Sequence, residues 1–248
     1  MNFTFHPLRA TFLERPNRYV IHARLHGSED VVRAHCPDPG RLQELLIPGA
    51  VVYVDEAPPS TNANRRTTHT LRFVEHPENG QLVSLNSQLP NAVFAEGLAD
   101  GFFPQFNRYA NTAKEVTLIG EDGTRSRIDF QLRDDTGNVC WVEVKSASLV
   151  IDDVALFPDA PTVRGRRHVD ELAHRATVGD AAAVVFIVQR PDASSFAPHS
   201  ERDPEFAASL RAAAAQGVSV YAYTCQLTTQ SIRLDRPIPV HLMDGSID

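Results

Sequence analysis

Two acidic residues and one lysine lie at spacings that suit a metal-dependent hydrolytic site. The segment SRIDF (Ser126–Phe130) contains Asp129, and WVEVKS (Trp141–Ser146) further along carries Glu143 and Lys145. Side chains alternate across a strand, which puts Asp129 on the polar face of one strand and the other two on the polar face of the next. Neighbouring carboxylates repel each other unless a cation lies between them, and their hard oxygens favour Mg²⁺ or Mn²⁺. Such a site can polarise a phosphodiester and activate a water, with Lys145 placed to steady the developing charge.

The segment between these strands, RDDTGN (Arg133–Asn138), is rich in turn-forming residues and predicts a hairpin. If the polar faces coincide, the carboxylates of Asp129 and Glu143 approach within about 5 Å as cross-strand neighbours. Lys145 then lies about 6.6 Å further along the same face. The alternative is a solvent-facing strand, because an acid two residues before a lysine is common by chance. Lys145 is one of only two lysines in the chain, which favours the site.

The elements around this hairpin predict an α/β unit with a mixed sheet. Asn91 can cap a short helix that Gly101 ends. Three strands follow, over Glu115–Ile119, Ile128–Leu132 and Val139–Val144. The remaining elements are a helix opened by Thr162, the fully apolar strand Ala182–Val188, a helix capped by Asp203 and the strand Val218–Tyr223.

The N-terminal part predicts a small closed barrel of the oligonucleotide-binding type, with a short β-sandwich as the alternative. Five strands are predicted, over Arg18–Leu25, Val31–His35, Ala50–Val54, His69–Val74 and Gln81–Leu85. A short helix over Arg41–Leu46 is expected in the middle, because its leucines recur at helical spacing. We place the boundary near residues 86–90, which gives a domain over 1–85 and a second over 86–248.

Charge and composition limit the classes of function. The chain of 248 residues has a formal net charge of −7, and all but two of its 24 cations are arginines. Residues 1–85 carry no net charge, so the whole acidic excess lies in 86–248. This argues against a polybasic coat for nucleic acid, although arginine suits the forked recognition of phosphate. The three cysteines show no zinc-site or disulfide spacing, and no apolar run suits a secretory signal or a membrane span, so we expect a reduced, cytoplasmic protein.

Several long motifs resemble one known family. They are RPNRY (Arg15–Tyr19), HCPDPGRL (His35–Leu42), SRIDF, EVKSASL (Glu143–Leu149), LFPDAPTVRGRRHVDEL (Leu156–Leu172) and GVSVYAY (Gly217–Tyr223). In this order, over almost the whole chain, they resemble the sugar fermentation stimulation protein A family. The resemblance implies a bacterial DNA-binding protein with an oligonucleotide-binding-type barrel and a PD-(D/E)xK nuclease-like domain, in a family linked to the regulation of sugar, particularly maltose, metabolism.

In that nuclease pattern the first acid falls on Asp129, and the second acid and the lysine fall on Glu143 and Lys145. One departure is Pro161, where the family pattern leads us to expect valine. A further carboxylate often assists in such nucleases, and Glu115 at the start of a strand is favoured over Glu96 on the first helix. A solvated helix face is the better interpretation for Glu96.

Basic side chains provide candidate DNA contacts. For those at a helix start a charged solvent face is an equal alternative, and for each single barrel residue an ordinary exposed arginine or half-buried tyrosine is the preferred interpretation. Arg164, Arg166, Arg167 and His168 crowd a helix start, where backbone N–H groups also favour anions. The barrel offers Arg15, Arg18, Arg41, Arg65 and Arg66 as backbone contacts, and Tyr19 and Tyr53 for base stacking.

Three functions are compatible with these features. The first is a DNA-binding protein that is also a Mg²⁺- or Mn²⁺-dependent phosphodiesterase. The second is a non-catalytic DNA-binding regulator with the same fold. The third, a small-molecule or carbohydrate enzyme, lacks a Gly-rich phosphate loop, a Ser/His/Asp order and an aromatic sugar platform. We expect the protein to bind DNA with low sequence specificity and to have no membrane partner. A homodimer is left open.

Overall fold

The structure is a computed structural model that describes residues 1–57, 66–119 and 125–243. The first sheet contains β1 (Leu8–Asn17), β2 (Val20–Leu25), β3 (Val31–His35), β4 (Val51–Glu56), β5 (His69–Glu75) and β6 (Leu82–Ser84). Its order is β3-β2-β1-β4-β5-β6, and β3 also pairs with β5, which closes β1–β5 into a barrel. The alternating apolar side chains of these strands fill the barrel interior. The predicted closed barrel is confirmed.

The first barrel strand was missing from the prediction. Only Ala10 and Phe12 are buried among the ten residues of β1, and its pairing with β2 is irregular around Glu14. Two buried side chains give too weak a period-two pattern for the strand to be predicted from the sequence. The barrel therefore closes with β1, while β6 lies outside the closed ring.

The predicted helix over Arg41–Leu46 is wrong, because this segment forms a single turn. Leu42 has a left-handed backbone with φ of 53°, and the Leu46 N–H donates to its carbonyl at 2.8 Å. Pro48 and Gly49 follow at once and leave no room for a second turn. The three leucines of the turn are nevertheless buried in the barrel core, which explains their helix-like spacing.

The rest of the chain forms a mixed sheet with helices on both faces. Its elements are α1 (Leu89–Ala99), β7 (Asn111–Ile119), β8 (Arg125–Arg133), β9 (Val139–Ala147), β10 (Leu149–Ile151), β11 (Val154–Phe157), α2 (Val163–Thr177), β12 (Ala181–Val188), β13 (Ser195–Pro198), α3 (Pro204–Ala215), β14 (Ser219–Leu227) and β15 (Ile232–Ile238). The main sheet has the order β15-β14-β12-β9-β8-β7, with β9, β12 and β14 parallel. The predicted mixed α/β architecture is confirmed.

Two apolar layers enclose the main sheet. The helices α2 and α3 pack on one face and α1 on the other, so β12 is buried on both sides as its apolar sequence predicts. The Thr162 side chain caps α2 and the Asp203 side chain caps α3, as predicted. The strands β10, β11 and β13 form a small separate sheet that the sequence analysis missed. This sheet leads into residues 158–162, which lie beside the candidate site.

The N-terminal segment leaves the barrel and packs on the second part of the chain. The Ile232 N–H donates to the Met1 carbonyl at 3.0 Å, and the Phe3 N–H donates to the Gln230 carbonyl at 2.8 Å. Within the described residues, no helix combines the length and the apolar character that a membrane span requires.

Candidate functional site

The two predicted acids meet where β8 and β9 separate. The predicted hairpin forms, and its antiparallel pairing runs from Arg133 opposite Val139 to Phe130 opposite Val142. One step further, Asp129 stands opposite Glu143 in the same register. The Val144 N–H donates to Asp129 Oδ2 at 2.9 Å. The carboxylate thus bonds to the backbone of β9 just beyond the point where the pairing of the two strands ends.

Glu143 is the most buried acid of the site, with 3% of its surface exposed. Its Oε1 accepts hydrogen bonds from Lys145 Nζ at 2.6 Å and from His168 Nδ1 at 2.5 Å. Its Oε2 is buried and has no hydrogen-bond partner among the described residues. A buried carboxylate oxygen without a partner is costly, so this atom is suited to receive a cation.

Asp129 is half-buried, and both of its oxygens accept hydrogen bonds. Besides the Val144 N–H, the Asn91 side-chain amide donates to Oδ1 at 2.9 Å. Burial and the Glu143 carboxylate together raise the pKa of Asp129. Burial also raises the pKa of Glu143, but Lys145 and His168 outweigh it and hold that pKa below its ordinary value.

Asn91 was predicted to cap the first helix, and this is wrong. The helix α1 begins at Leu89 with Gln88 in the cap position, and its first turn contains Asn91 and Pro90. The Asn91 side chain is thereby free to reach the strand that carries Asp129. The polar residue at a helix start was visible in the sequence, but its partner on another element was not.

His168 was predicted as an exposed DNA contact, and the structure corrects this. Its side chain is 2% exposed and bonded to Glu143, so it belongs to the acidic site. The sequence did contain a signal, because His168 lies four residues before the buried Leu172 on the inward face of α2. Its Nε2 is buried without a partner among the described residues.

The two candidate assisting acids are not joined to this cluster. Glu115 lies opposite Asp129 in the register between β7 and β8, but its carboxylate pairs with Arg127 at 3.2 Å and is 60% exposed. Glu96 pairs with the N-terminal ammonium of Met1 at 2.6 Å. A role for Glu115 therefore stays a prediction.

Arg15 was predicted to contact DNA, but the structure gives its guanidinium a different task. It donates to the carbonyls of Arg18, Asp38, Gly40 and Arg41 at 2.7 to 3.0 Å. These bonds organise the turn CPDPG and the residues that follow it. The guanidinium is thus committed to the protein's own backbone.

The other predicted cations are more accessible. Arg18, Arg41, Arg66, Arg164 and Arg167 are exposed, whereas Arg65 lies outside the described residues. Arg166 pairs with Glu205, and Arg167 lies 3.8 Å from Glu171. Of the predicted stacking residues, Tyr19 is 52% exposed, whereas the Tyr53 hydroxyl donates to Glu75.

A cleft between the barrel and the α/β part opens beside Lys145. This interdomain cleft has a volume of about 330 Å³, and its lining includes Arg18, Gly40, Ser87, Lys145, Ser146 and Asp159. Across it, the Leu42 N–H donates to Asp159 Oδ2 at 2.7 Å. Arg202 bridges the two parts, with contacts to Asp159 at 3.1 Å and Glu44 at 3.5 Å.

Known proteins match both parts of the chain. A profile described as the SfsA N-terminal OB domain matches residues 13–85, and the sugar fermentation stimulation protein RE domain matches residues 88–231. The chain belongs to the sugar fermentation stimulation protein family. The resemblance that the motifs predicted is confirmed.

Members of the family match the chain nearly end to end. A sugar fermentation stimulation protein homolog of Moorella thermoacetica is 45% identical over 235 residues, which cover 95% of this chain and 97% of that protein. The homolog of Chloroflexus aurantiacus is 41% identical over 94% of this chain and 85% of its own length. The structure of Pyrococcus furiosus SfsA in complex with Ca²⁺ is 29% identical, has a TM-score of 0.83, and is matched over 97% of this chain and 98% of that chain.

Proposed function

We propose that this protein is a DNA-binding, divalent-metal-dependent phosphodiesterase whose site is formed by Asp129, Glu143 and Lys145. The observation that carries the proposal is the buried Glu143 Oε2, which has no partner among the described residues and belongs to the carboxylate opposite Asp129. The Ca²⁺ complex of the Pyrococcus furiosus relative supports divalent-cation binding in the family.

The donor set fits Mg²⁺ or Mn²⁺. Two carboxylates, completed by waters and substrate oxygens, are the protein contribution that Mg²⁺ sites often use. The described residues contain no cluster of three or more His, Cys, Asp or Glu side chains arranged for a metal, so the proposed site has only Asp129 and Glu143 as protein ligands and needs other ligands to complete it. The pKa of Asp129 is raised by burial and then by the Glu143 carboxylate, and a nearby cation would favour its charged form.

Each residue of the site has a separate task in this proposal. When bound, the ion supplies a Lewis acid that polarises the phosphodiester and acidifies a water. Lys145, which pairs with Glu143 and lines the cleft, stabilises negative charge that develops on the phosphate. Asn91 and His168 orient the two carboxylates, in the way that outer hydrogen bonds position metal ligands.

DNA binding is proposed to use exposed arginines of both parts of the chain, of which Arg18 lines the cleft. Arg18 and Arg41 belong to the barrel, and Arg164 and Arg167 to the start of α2. Arginine contacts to phosphate give affinity without sequence readout, which supports low specificity. We propose that residues 1–85 supply most of the affinity and residues 86–248 the chemistry. Because the α/β part carries the acidic excess, we expect modest affinity that rises when a divalent ion is added.

A cleavage assay tests the proposal. Labelled plasmid and single-stranded DNA are incubated with Mg²⁺ or Mn²⁺ and the wild type, Asp129→Asn or Glu143→Gln. We expect cleavage by the wild type and a cleavage rate about a thousandfold lower in each variant. Each substitution replaces a charged carboxylate, which would bind the metal, with a neutral amide. Unchanged cleavage in both variants would refute the site. Glu115→Gln in the same assay tests its assisting role, which a loss of more than about tenfold would support.

The non-catalytic regulator is the second candidate, and the same samples distinguish it. It predicts salt-dependent DNA binding by the wild type with no cleavage under any metal. The observation that favours catalysis over this alternative is that Asp129, Glu143 and Lys145 are all present and brought together.

A further inference from the structure

We propose that the interdomain cleft binds one unpaired nucleotide, so that single strands or frayed ends, rather than intact duplex, reach Lys145. This inference rests on the proposed function, because it takes Lys145 and its acids as the place that a phosphodiester must reach. It adds the class of nucleic acid that the site accepts.

A loop of the barrel borders the cleft. Residues 37–42 of the barrel cross it and are fastened at both ends to the other part of the chain. At one end the Ser87 hydroxyl donates to the Pro37 carbonyl at 2.9 Å, and at the other the Leu42 N–H donates to Asp159 at 2.7 Å. The opposite wall is β9 and the residue after it, from Val144 to Ser148.

The loop is also rigid. The guanidinium of Arg15 donates to three of its carbonyls, those of Asp38, Gly40 and Arg41. Gly40 packs so closely that a β-carbon there would lie 2.8 Å from Asp159 Oδ2. Because the loop is held in this way, it limits the width of the ligand that can enter the cleft.

The volume of the cleft limits the size of the ligand that it can hold. A volume of about 330 Å³ lies at the lower end of the range for small-ligand sites, so the cleft suits a single nucleotide but is too small for a base-paired duplex. Enzymes that act on a single nucleotide in a pocket take single strands or extrude a nucleotide from the duplex.

The side chains that line the cleft include both cations and carboxylates. Lys145 and Arg18 can hold the phosphate, whereas the carboxylates of Asp38 and Asp159 repel it. Carboxylates instead accept hydrogen bonds from the amino groups of bases. The lining thus contains cations for a phosphate and carboxylates for the amino groups of a base, the two kinds of group that a nucleotide requires.

Ser146 adds a directed donor next to Lys145. The Gln189 amide donates from Nε2 to both the Asn86 carbonyl and the Ser146 hydroxyl, at 3.0 and 2.8 Å. Because a carbonyl only accepts, the orientation of this fully buried amide is fixed. Ser146 must then accept from Gln189, and its own proton remains available to a phosphate oxygen in the cleft.

Binding measurements test this inference separately from cleavage. The affinities of the full-length protein for a single-stranded oligonucleotide of about twelve nucleotides, the same sequence as blunt duplex, and the same sequence as single-stranded RNA are measured in Ca²⁺. Ala160, which lines the cleft, is replaced by tryptophan to fill it, and Ala212→Trp on the exposed side of α3 is the matched control. Thermal unfolding and Mn²⁺ binding confirm that both variants are folded.

We expect the wild type to bind a single strand about tenfold more tightly than the blunt duplex, and Ala160→Trp to remove this preference while Ala212→Trp keeps it. The RNA arm shows whether the nucleotide is a deoxyribonucleotide or a ribonucleotide. Equal affinity for single strand and duplex, or an unchanged single-strand affinity in Ala160→Trp, would overturn the inference. Cleavage is read with Mn²⁺ in parallel, so its absence beside a retained single-strand preference would contradict the proposed function alone.

Discussion

Glu143 uses its two carboxylate oxygens differently. One of its oxygens accepts from both Lys145 and His168, and the other is buried and unpaired among the described residues. This asymmetry separates two tasks within one carboxylate. One oxygen is fixed by Lys145 and His168, and the other is left for a ligand.

We expect His168 to support metal binding by orienting Glu143, and not to contact DNA. His168→Ala removes the bond that orients the carboxylate, so we expect metal affinity to fall about tenfold, with partial rescue in His168→Gln. The measurement is Mn²⁺ binding by calorimetry. The control is His174→Ala, which changes an exposed histidine of the same helix. Equal metal affinity in His168→Ala and wild type would show that the contact has no positioning role.

A second residue-scale prediction concerns the buried Arg190. Its guanidinium forms two hydrogen bonds with Asp192, at 2.6 and 2.5 Å, and donates to the Ser148 carbonyl beside the cleft. Although burial raises the pKa of Asp192, the bonds to Arg190 hold it below the ordinary value. Asp192→Asn should therefore cost about 2 kcal/mol at pH 7, less than a fully buried pair because a quarter of the Asp192 side chain is exposed.

The sign of the pH dependence follows from the lowered pKa. The contribution of Asp192 is fully present above the ordinary aspartate pKa of about 3.9 and is lost as the pH falls through the lower folded value. The difference in unfolding free energy between wild type and Asp192→Asn, measured by denaturant titration, should thus be constant from pH 7 to 5 and shrink below about pH 4. A difference that grows on acidification would contradict this explanation.

At the scale of elements, the separation of β8 from β9 creates the site. The backbone ladder ends at Phe130 and Val142, and Asp129 then accepts the Val144 N–H. The first turn of α1 supplies Asn91 to the other oxygen of Asp129. The orientation of the Asp129 carboxylate therefore depends on both the β8–β9 strand pair and the helix α1.

Removal of the Asn91 amide should weaken the site without unfolding the protein. In Asn91→Ala, Asp129 loses one of its two hydrogen bonds, and we expect the metal-dependent cleavage rate to fall about tenfold. Gln88→Ala, one turn earlier and without a side-chain capping bond, is the control and should retain the wild-type rate. Equal cleavage rates in Asn91→Ala and Gln88→Ala would show that Asn91 does not contribute to the site.

These elements show what the sequence could and could not predict. The hairpin was predicted correctly because its polar alternation and turn residues are local. The strand β1 was missed because only two of its side chains are buried, and Arg41–Leu46 was wrongly predicted as a helix because its leucines pack into the barrel from a turn. The contacts of Asn91 and His168 with Asp129 and Glu143 join distant segments, so no local pattern reveals them.

For the whole molecule, the contact between the barrel and the α/β part determines access to the site. Asp159 binds the Leu42 N–H and Arg202, and Arg202 also contacts Glu44. Because the net charge is −7, we expect any contacts with DNA to be local, and the exposed Arg18 in the cleft lining is placed for one of them.

Loss of the Asp159 carboxylate should loosen the loop that borders the cleft. In Asp159→Ala, the Leu42 amide loses its acceptor, so we expect its hydrogen exchange to accelerate at least about tenfold and stability to fall by about 1–3 kcal/mol. Exchange at Leu42 is measured by NMR or mass spectrometry. Asp135→Ala in the exposed β8–β9 turn is the control. Unchanged protection of Leu42 would show that this hydrogen bond does not hold the loop.

The binding of Mn²⁺ to the purified protein tests most directly the claim that Asp129 and Glu143 together form a metal site. Calorimetric titrations compare the wild type with Asp129→Asn, Glu143→Gln and the exposed control Glu78→Gln. The account predicts one high-affinity ion per chain in the wild type and the control, and an affinity at least about tenfold weaker in the other two variants. Equal Mn²⁺ affinity in all four proteins, or no binding by the wild type, would contradict it.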